Sequence, residues 1–250
     1  MNGIALTGLI VVGIASILLI IFSVIFRFRQ GYQARSDHGT EQMMQSHVAS
    51  MESGQYQAVV MGNQLLSRTY PGLGLHALSV LPVFLSPEIG MDGGLTIAGG
   101  EGSLAVFARQ IVQDRYQDEF SFTLHQLTRT NNFPGPTRFS FTAGFLPILS
   151  ANQHRLISLF GNYGPEALLW AAEVQAEGGH VFAAAGTLAS QASLFLQVRD
   201  LLIGESVFML PGLIDPSSRD RATWLTEDIL RTGLIIFLIV AAILKMMGVI

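Results

Sequence analysis

The chain of 250 residues contains no cysteine and only one lysine. Without cysteine it can form neither a disulfide nor a thiolate metal site. Charged residues are also scarce, at 13% of the chain, whereas an average soluble domain has about 25%. Because 50% of the residues are hydrophobic, the composition excludes a disordered chain and is too apolar for a wholly soluble protein.

A surplus of basic residues is also missing. The 14 basic residues are outnumbered by 18 acidic ones and form no basic stripe, which excludes a nucleic-acid binder. There is no Walker A loop, no H-E-x-x-H and no G-x-S-x-G motif, and the six histidines have no metal-ligand spacing. We therefore predict no catalytic residue, no metal, no cofactor and no nucleic-acid partner.

Both ends of the chain are apolar. Residues 1–26 carry no charge, and residues 4–26 form one apolar run. As a helix this run would be about 34 Å long, and the hydrocarbon core of a bilayer is about 30 Å thick. Residues 232–250 form a second run, interrupted only by Lys245. We predict one N-terminal and one C-terminal transmembrane helix, with the lipid bilayer as a partner.

Arginines border both predicted spans on the side of the central region. They are Arg27, Arg29, Arg35, Arg219, Arg221 and Arg231. The other side offers Lys245 alone. By the positive-inside rule this asymmetry predicts a cytoplasmic central region, with both termini outside a bacterial inner membrane.

The central region shows a repeating rhythm, in which a short apolar run ends in glycine and a helix-like stretch follows. The runs are residues 57–61, 95–98, 139–143, 156–160, 181–185 and 201–203, with 120–127 as a further candidate and 131–136 as a surface loop. This alternation favours an α/β domain of the Rossmann-like, doubly wound type, with a mostly parallel sheet covered on both faces.

The predicted domain boundaries follow from these patterns. Residues 27–54 are a juxtamembrane linker with a short amphipathic helix, residues 55–218 are the α/β domain, and residues 219–231 are an interfacial helix. Within the domain, helix signals are an apolar stripe over residues 104–112, Gly178 as a C-cap and Thr187 as the N-cap of residues 188–199.

One glycine-rich turn resembles a dinucleotide-binding motif. Gly100, Glu101 and Gly102 open the sequence G-E-G-S-L-A after a predicted strand, which matches the shape G-x-G-x-x-G/A. Glu101 would place a carboxylate beside the phosphate, and no acidic residue ends the next predicted strand. The two interpretations are a phosphate-binding turn and an ordinary connection between strand and helix.

A second glycine turn covers residues 161–166 and includes Asn162, Gly164 and Glu166. Glu205 follows the last predicted strand in the same way. Because the carboxyl ends of parallel strands share one edge of a sheet, these residues could line one ligand pocket together with Glu101 and Thr187. The alternative is that the three glutamates interact with the starts of their own helices.

Three segments, residues 95–116, 155–170 and 200–206, resemble a family of bacterial membrane-associated proteins known as domain of unknown function 6754. The similarity covers residues 54–231, and its most specific parts are Gly161, Gly164 and Glu166, and Gly204 with Glu205. Members often have a second acid after that glutamate, where this chain has Ser206. The resemblance implies an α/β fold and a membrane setting but no activity.

Sparse site chemistry and apolar stretches in the central region favour a membrane-anchored, non-catalytic scaffold or accessory subunit. We expect it to self-assemble into a homo-oligomer or to dock onto a larger membrane complex. The alternative is a membrane-tethered Rossmann-like enzyme or sensor. It would bind a small ligand, of the nucleotide or sugar-phosphate type, at the C-terminal edge of the sheet.

Overall fold

The structure, a computed structural model, describes residues 13, 17, 20, 21, 38–62, 71–85, 94–115, 128–131, 137–204, 206–214 and 218–246. The chain divides into two compact units. One unit is residues 36–214, and the other combines residues 1–35 with residues 215–250.

Regular elements fill most of the described part of the chain. Its strands are Gln57–Met61 (β1), Leu95–Gly99 (β2), Thr128–Asn131 (β3), Leu156–Gly161 (β4), His180–Ala185 (β5) and Asp200–Leu202 (β6). Its helices are His38–Glu52 (α1), Pro71–Phe84 (α2), Gly102–Arg115 (α3), Arg138–Asn152 (α4), Ala167–Ala176 (α5), Leu188–Leu194 (α6), Ser206–Ile214 (α7) and Ser218–Met246 (α8).

All six strands are parallel and lie in the order β3-β2-β1-β4-β5-β6. The chain builds outward from β1 to β3, crosses over through α4 to β4, and then builds outward in the other direction to β6. The strand order therefore reverses between β1 and β4, which is the point where doubly wound sheets usually bind ligands. The predicted α/β class with a parallel sheet is confirmed.

Helices cover both faces of the sheet. On one face α1, α2, α3 and α7 bury apolar side chains against the strands, and on the other face α4, α5 and α6 do so. Neighbouring residues of β1 alternate between these layers, with Val59 and Met61 on the first face and Ala58 and Val60 on the second. Because both faces of the strand are buried, its sequence is continuously apolar.

The second layer is centred on Trp170 of α5, which is 1% exposed. Its ring meets those of Phe141, Phe145 and Tyr163 edge to face, with centroid distances of 5.3, 5.7 and 6.0 Å. Each such pair contributes about 0.5–1.5 kcal/mol beyond the burial of its area. The cluster connects α4, α5 and the turn after β4, and therefore holds in place one of the turns that the sequence singles out.

The predicted strand at residues 139–143 is wrong, because this segment lies in α4. Thr137 and Ser140 form a capping box, in which each side chain accepts a hydrogen bond from the other residue's backbone N–H. Buried side chains then recur every four residues, which is a helical stripe. They are Phe141, Phe145 and Leu149.

Strand β3 was not among the predicted strands. The candidate strand at residues 120–127 lies outside the described residues. Of the predicted loop at residues 131–136, only Asn131 is described, and it ends β3. The short strand T-R-T-N pairs with β2 alone and lacks an apolar run, because an edge strand need not be apolar.

The predicted caps of the second layer are confirmed. Thr187 is the N-cap of α6, where its side chain accepts a hydrogen bond from Ser190 N, and Gly178 has the positive φ of 74° typical of a residue that ends a helix. Helix α6 is shorter than predicted and ends at Leu194 instead of residue 199.

Helix α8 belongs to the second unit and includes the predicted helix at residues 219–231. Glu227 and Arg231, one helical turn apart, approach to 3.5 Å. Among the described residues, no helix is both long enough and apolar enough to cross a membrane. The two predicted transmembrane helices are therefore not confirmed. Only residues 13, 17, 20 and 21 of the first are described.

Candidate functional site

The glycine turn after β4 holds its own glutamate. Glu166 is only 6% exposed, and one of its carboxylate oxygens accepts a hydrogen bond from Gly164 N at 2.9 Å. A Cβ atom at Gly164 would collide with that carboxylate, so glycine is needed for the contact. Because Glu166 lies at the N-terminus of α5, the helix dipole also favours its negative charge. The carboxylate is therefore held by its own turn, and the helix dipole is its interaction with α5, where it forms no side-chain capping bond.

A network of hydroxyl groups joins this turn to the start of α6. Ser190 Oγ accepts a hydrogen bond from Tyr163 N at 2.9 Å and donates one to Tyr163 O at 2.7 Å. Thr187 Oγ1 lies 2.7 Å from the same hydroxyl. The structure therefore brings Thr187 close to the turn that carries Asn162, Gly164 and Glu166.

The turn after β2 is separated from that turn by β1. Gly100 N donates a hydrogen bond to Met61 O at 2.7 Å, and Glu101 Oε1 accepts one from Ser103 Oγ at 2.8 Å. A Cβ placed on Gly102 would have no described atom within 4 Å beyond its chain neighbours and the backbone of its own helix. In a doubly wound sheet the phosphate-binding turn usually follows β1, so this turn lies one strand from the expected place.

The crevice between β1 and β4 is narrow at its C-terminal end. Gly62, the residue after β1, approaches the backbone of Asn162 so closely that a Cβ atom would collide with it. Asn162 is 8% exposed, and its Oδ1 has no hydrogen-bond partner. Glu205, the remaining predicted ligand-binding residue, lies outside the described residues. A common pocket for all of the predicted residues therefore stays a prediction.

A groove of the α/β unit lies at the opposite, N-terminal edge of the sheet. Its volume is about 810 Å³, and it lies where β5 and β6 begin. Four glutamines line it, two on α1 and one on each of the segments that lead into β5 and β6. They are Gln42, Gln45, Gln175 and Gln197.

Two ionisable residues meet in this groove. His180, the first residue of β5, and Asp200, the first residue of β6, are brought together by the parallel pairing of the strands. His180 Nε2 lies 3.1 Å from Asp200 Oδ2, close enough for an ion pair when the ring is protonated, although the nitrogen makes no well-aligned hydrogen bond.

Helix α1 supports the carboxylate from the other side. With its amide nitrogen facing Asp200, Gln42 donates hydrogen bonds of 2.9 and 3.2 Å to the two carboxylate oxygens, and its own oxygen accepts one of 3.1 Å from His38 Nε2. The amide nitrogen faces Asp200 because a carboxylate can only accept hydrogen bonds. The result is a chain of polar side chains that fixes the position of the carboxylate.

Buried histidines are another feature of this edge. His47 Nδ1 bonds to Gln57 Oε1 at 2.6 Å, and His154 bonds to Thr96 Oγ1 at 3.1 Å. Burial lowers the pKa of both histidines below 6.5, although these rings also make hydrogen bonds that raise it. Each ring is therefore neutral near pH 7 and serves as a hydrogen-bonding part of the core.

The groove was missed by reasoning from the sequence, which placed ligand binding at the C-terminal edge. His180 and Asp200 are twenty positions apart, and each directly precedes an apolar run. Because parallel strands start at the same edge, two complementary side chains at strand starts are the signal that could have indicated their meeting.

Among the described residues, no group of three or more histidines, aspartates or glutamates could hold a metal ion. No family model, curated protein or solved structure matches the chain. The resemblance to domain of unknown function 6754 therefore stays a prediction, and the geometry of the chain itself is the basis for any functional inference.

Proposed function

We propose that the chain is a membrane-anchored, non-catalytic scaffold or accessory subunit whose α/β domain associates with a second copy through the outer face of α6. One observation carries this proposal, namely a charge-free apolar face on that helix. The membrane anchors, the cytoplasmic side of a bacterial inner membrane and membership of the uncharacterised family are parts of the same proposal.

The outer face of α6, together with the turn of residues 195–197 that follows it, carries large apolar side chains that stay exposed in the α/β unit. Leu188, Phe195 and Leu196 are 82%, 70% and 78% exposed. Residues 188 and 195 are seven positions apart, so they lie on the same side of a helix, with Ala192 between them. Large apolar side chains exposed side by side commonly mark a protein contact surface.

The chemistry of this face supports a second copy as its partner. Residues 178–198 contain no aspartate, glutamate, lysine or arginine. A charged partner surface would lose hydration here without gaining an opposite charge. An apolar face is complementary to itself, which is what a two-fold symmetric contact requires.

The polar residues at the C-terminal edge support a scaffold better than an enzyme. Glu166, Ser190 and Thr187 make their hydrogen bonds within the turns that they stabilise. A catalytic group would need to present such atoms to a substrate.

The membrane part of the proposal rests on the two apolar runs and the arginines beside them. Where side chains are described, apolar residues of these runs are exposed, which suits contact with lipid better than contact with water. They are Ile17, Ile20, Ile21, Leu234, Ile235, Ile236 and Leu238.

Size-exclusion chromatography with light scattering tests the proposal on the full chain in detergent. We expect the wild-type chain to have at least twice the monomer mass of 27.1 kDa. The double variant Leu188→Asn, Phe195→Asn should elute as a monomer because both changes place a polar amide on the contact. Phe107→Asn, on the opposite face of the sheet and 52% exposed, is the matched control and should keep the wild-type mass.

A wild-type chain that elutes as a monomer without any co-purifying protein would contradict the proposal. The proposal would also fail if the double variant kept the wild-type mass, because the contact between the two copies would then lie elsewhere. Far-UV circular dichroism of each variant checks that the fold is intact.

A further inference from the structure

The groove at the N-terminal edge of the sheet has the size of a small-molecule site. Its volume of about 810 Å³ lies within the range of roughly 300–1,000 Å³ found for ligand pockets. It is built from α1, from the turn between α5 and β5, and from the segment between α6 and β6. The lining residues all belong to one compact unit.

The lining is polar but nearly balanced in charge. Beside the four glutamines it contains one full cation, Arg199, and one carboxylate, Asp200. Di- and triphosphates need several cations or a run of backbone N–H groups, and this lining offers a single arginine. The only large apolar lining residues are Val181 and Leu196, so an acyl chain finds no apolar platform, and the one ring in the lining is the small, polar imidazole of His180.

Glutamine side chains match hydroxyl groups well. Each amide offers two donor hydrogens and an acceptor oxygen, and each hydroxyl can donate and accept at once. The Gln175 amide already donates to the backbone oxygen of Gln197 at 3.2 Å, which fixes its position beside the groove. Gln45 lies on the exposed side of α1, two positions from each of the buried residues Met43 and His47.

The His180–Asp200 pair supplies a fixed acceptor. Gln42 holds both carboxylate oxygens, and His180 approaches one of them, while the side chain of Asp200 keeps an exposed fraction of 14%. A carboxylate has about four lone-pair positions, so it can still accept a hydrogen bond from a ligand hydroxyl. The imidazole of His180, 31% exposed, lies beside it as a second polar group.

We propose that this groove binds a small, neutral, hydroxyl-rich ligand, a sugar or a polyol, with Asp200, Gln45 and Gln175 as the groups that recognise its hydroxyls. The inference goes beyond the proposed scaffold function and does not depend on it. Leu196 belongs to both the groove and the exposed face of α6, so the variants that test the two proposals avoid this residue.

Saturation-transfer difference NMR on the full chain tests the groove. The chain is prepared in a zwitterionic amine-oxide detergent, because a maltoside detergent would itself present a sugar. The hydroxyl-rich probes are glucose, myo-inositol and glycerol, and the comparison probes are ATP and trialanine. We expect saturation transfer to at least one hydroxyl-rich probe and none to ATP or trialanine.

Two variants and one matched control assign the signal to the groove. Asp200→Asn should weaken binding of that probe about tenfold, because a hydrogen bond to a charged acceptor is lost. Gln45→Leu changes an exposed helix position that the fold does not need, and should weaken binding about threefold through one neutral hydrogen bond. Asp114→Asn is the control.

Asp114 makes a comparable contact far from the groove. Its Oδ1 accepts a hydrogen bond of 2.7 Å from Gln110 Nε2 on α3, and α3 packs beside β2 and β3. Because β2 and β5 are three strand spacings apart in the sheet, about 14 Å separates them. The Asp114→Asn variant should therefore bind the probe as the wild type does.

Three results would overturn the proposal. The first is no transfer to glucose, myo-inositol or glycerol at concentrations up to about 10 mM, which corresponds to binding too weak to be specific. The second is binding that both Asp200→Asn and Gln45→Leu leave unchanged. The third is binding of ATP or trialanine alone that Gln45→Leu weakens, which would assign the groove to another ligand class.

Discussion

The close contact between the ends of β1 and β4 makes Gly62→Ala a sharp test of the fold. The added Cβ would stand 2.7 Å from Asn162 N and still closer to Asn162 O, whereas Cβ atoms in proteins essentially never approach another heavy atom within 3.0 Å. Backbone atoms of a turn cannot rotate away as a side chain does. The strand ends must therefore separate, which costs about 1–3 kcal/mol in an overpacked core.

Thermal unfolding followed by tryptophan fluorescence measures this cost, because Trp170 lies in the layer that packs on the same turn. A loss of about 2 kcal/mol lowers the Tm of a domain of this size by about 4–8 °C. Gly102→Ala is the matched control, since its added Cβ at the start of α3 would have no described atom within 4 Å beyond its chain neighbours and the backbone of its own helix. This change should leave the Tm equal or raise it by about 1–4 °C through helix propensity.

The two substitutions are chemically identical, so only their surroundings can separate them. A Gly62→Ala variant as stable as wild type would show that the strand ends are further apart than described. An equal loss in both variants would show that glycine is needed for a reason other than the contact with Asn162.

Two further predictions concern buried polar groups. Burial holds the pKa values of His47, His76 and His154 below the 6.5 of an exposed histidine. As the pH falls through 6.5, the histidines of the unfolded chain therefore bind protons before those of the folded chain, and the folded state loses stability. Urea titrations between pH 7.5 and 5.5 should show the free energy of unfolding decreasing by up to about 1.4 kcal/mol per pH unit for each histidine. A pH-independent stability in that window would refute neutral burial. Tyr163→Phe removes a hydroxyl whose one hydrogen is shared between the backbone oxygens of Val60 and Phe160, and should lower the urea-derived free energy of unfolding by about 1 kcal/mol. Tyr56→Phe changes a partly exposed ring and should lower the free energy of unfolding by less. Equal losses of stability in the two variants would show that burial of the Tyr163 hydroxyl is not the cause.

The sequence predicts the apolar strands well, including the edge strand β6, and misses the polar edge strand β3. Strands β1, β2, β4 and β5 are apolar on both faces, and each run ends at a glycine that starts a turn, which is a strong local signal. Strand β3 has one neighbour among the described strands and a polar sequence, so no periodicity distinguishes it from a loop. Its pairing with β2 is a tertiary effect.

The first turn of α4 shows a second reason why prediction from the sequence fails. The apolar run at residues 139–143 looks like a buried strand in isolation, because short apolar runs do not distinguish a strand from a helix. The capping box of Thr137 and Ser140 and the spacing of Phe141 and Phe145 favour the helix. These signals are present in the sequence, but they distinguish a helix from a strand only over a stretch longer than the five residues 139–143.

The candidate site was harder to predict than the fold. The turn after β4 and the cap at Thr187 could be located because glycine and hydroxyl residues at helix starts have specific backbone roles. The meeting of His180 with Asp200 could not, since it depends on which strands are neighbours. The sequence also does not specify that α1 folds against this edge and supplies Gln42.

A cross-linking experiment in membranes tests the central claim, that two copies meet through α6, most directly. Because the chain has no cysteine, Phe195→Cys introduces a single thiol on that face, and Phe107→Cys places one on the opposite face. Treatment of membranes from expressing cells with a short bis-maleimide should shift Phe195→Cys from 27.1 kDa to twice that mass and leave Phe107→Cys as a monomer. A Phe195→Cys chain that stays monomeric, or a Phe107→Cys chain that cross-links equally well, would contradict the account.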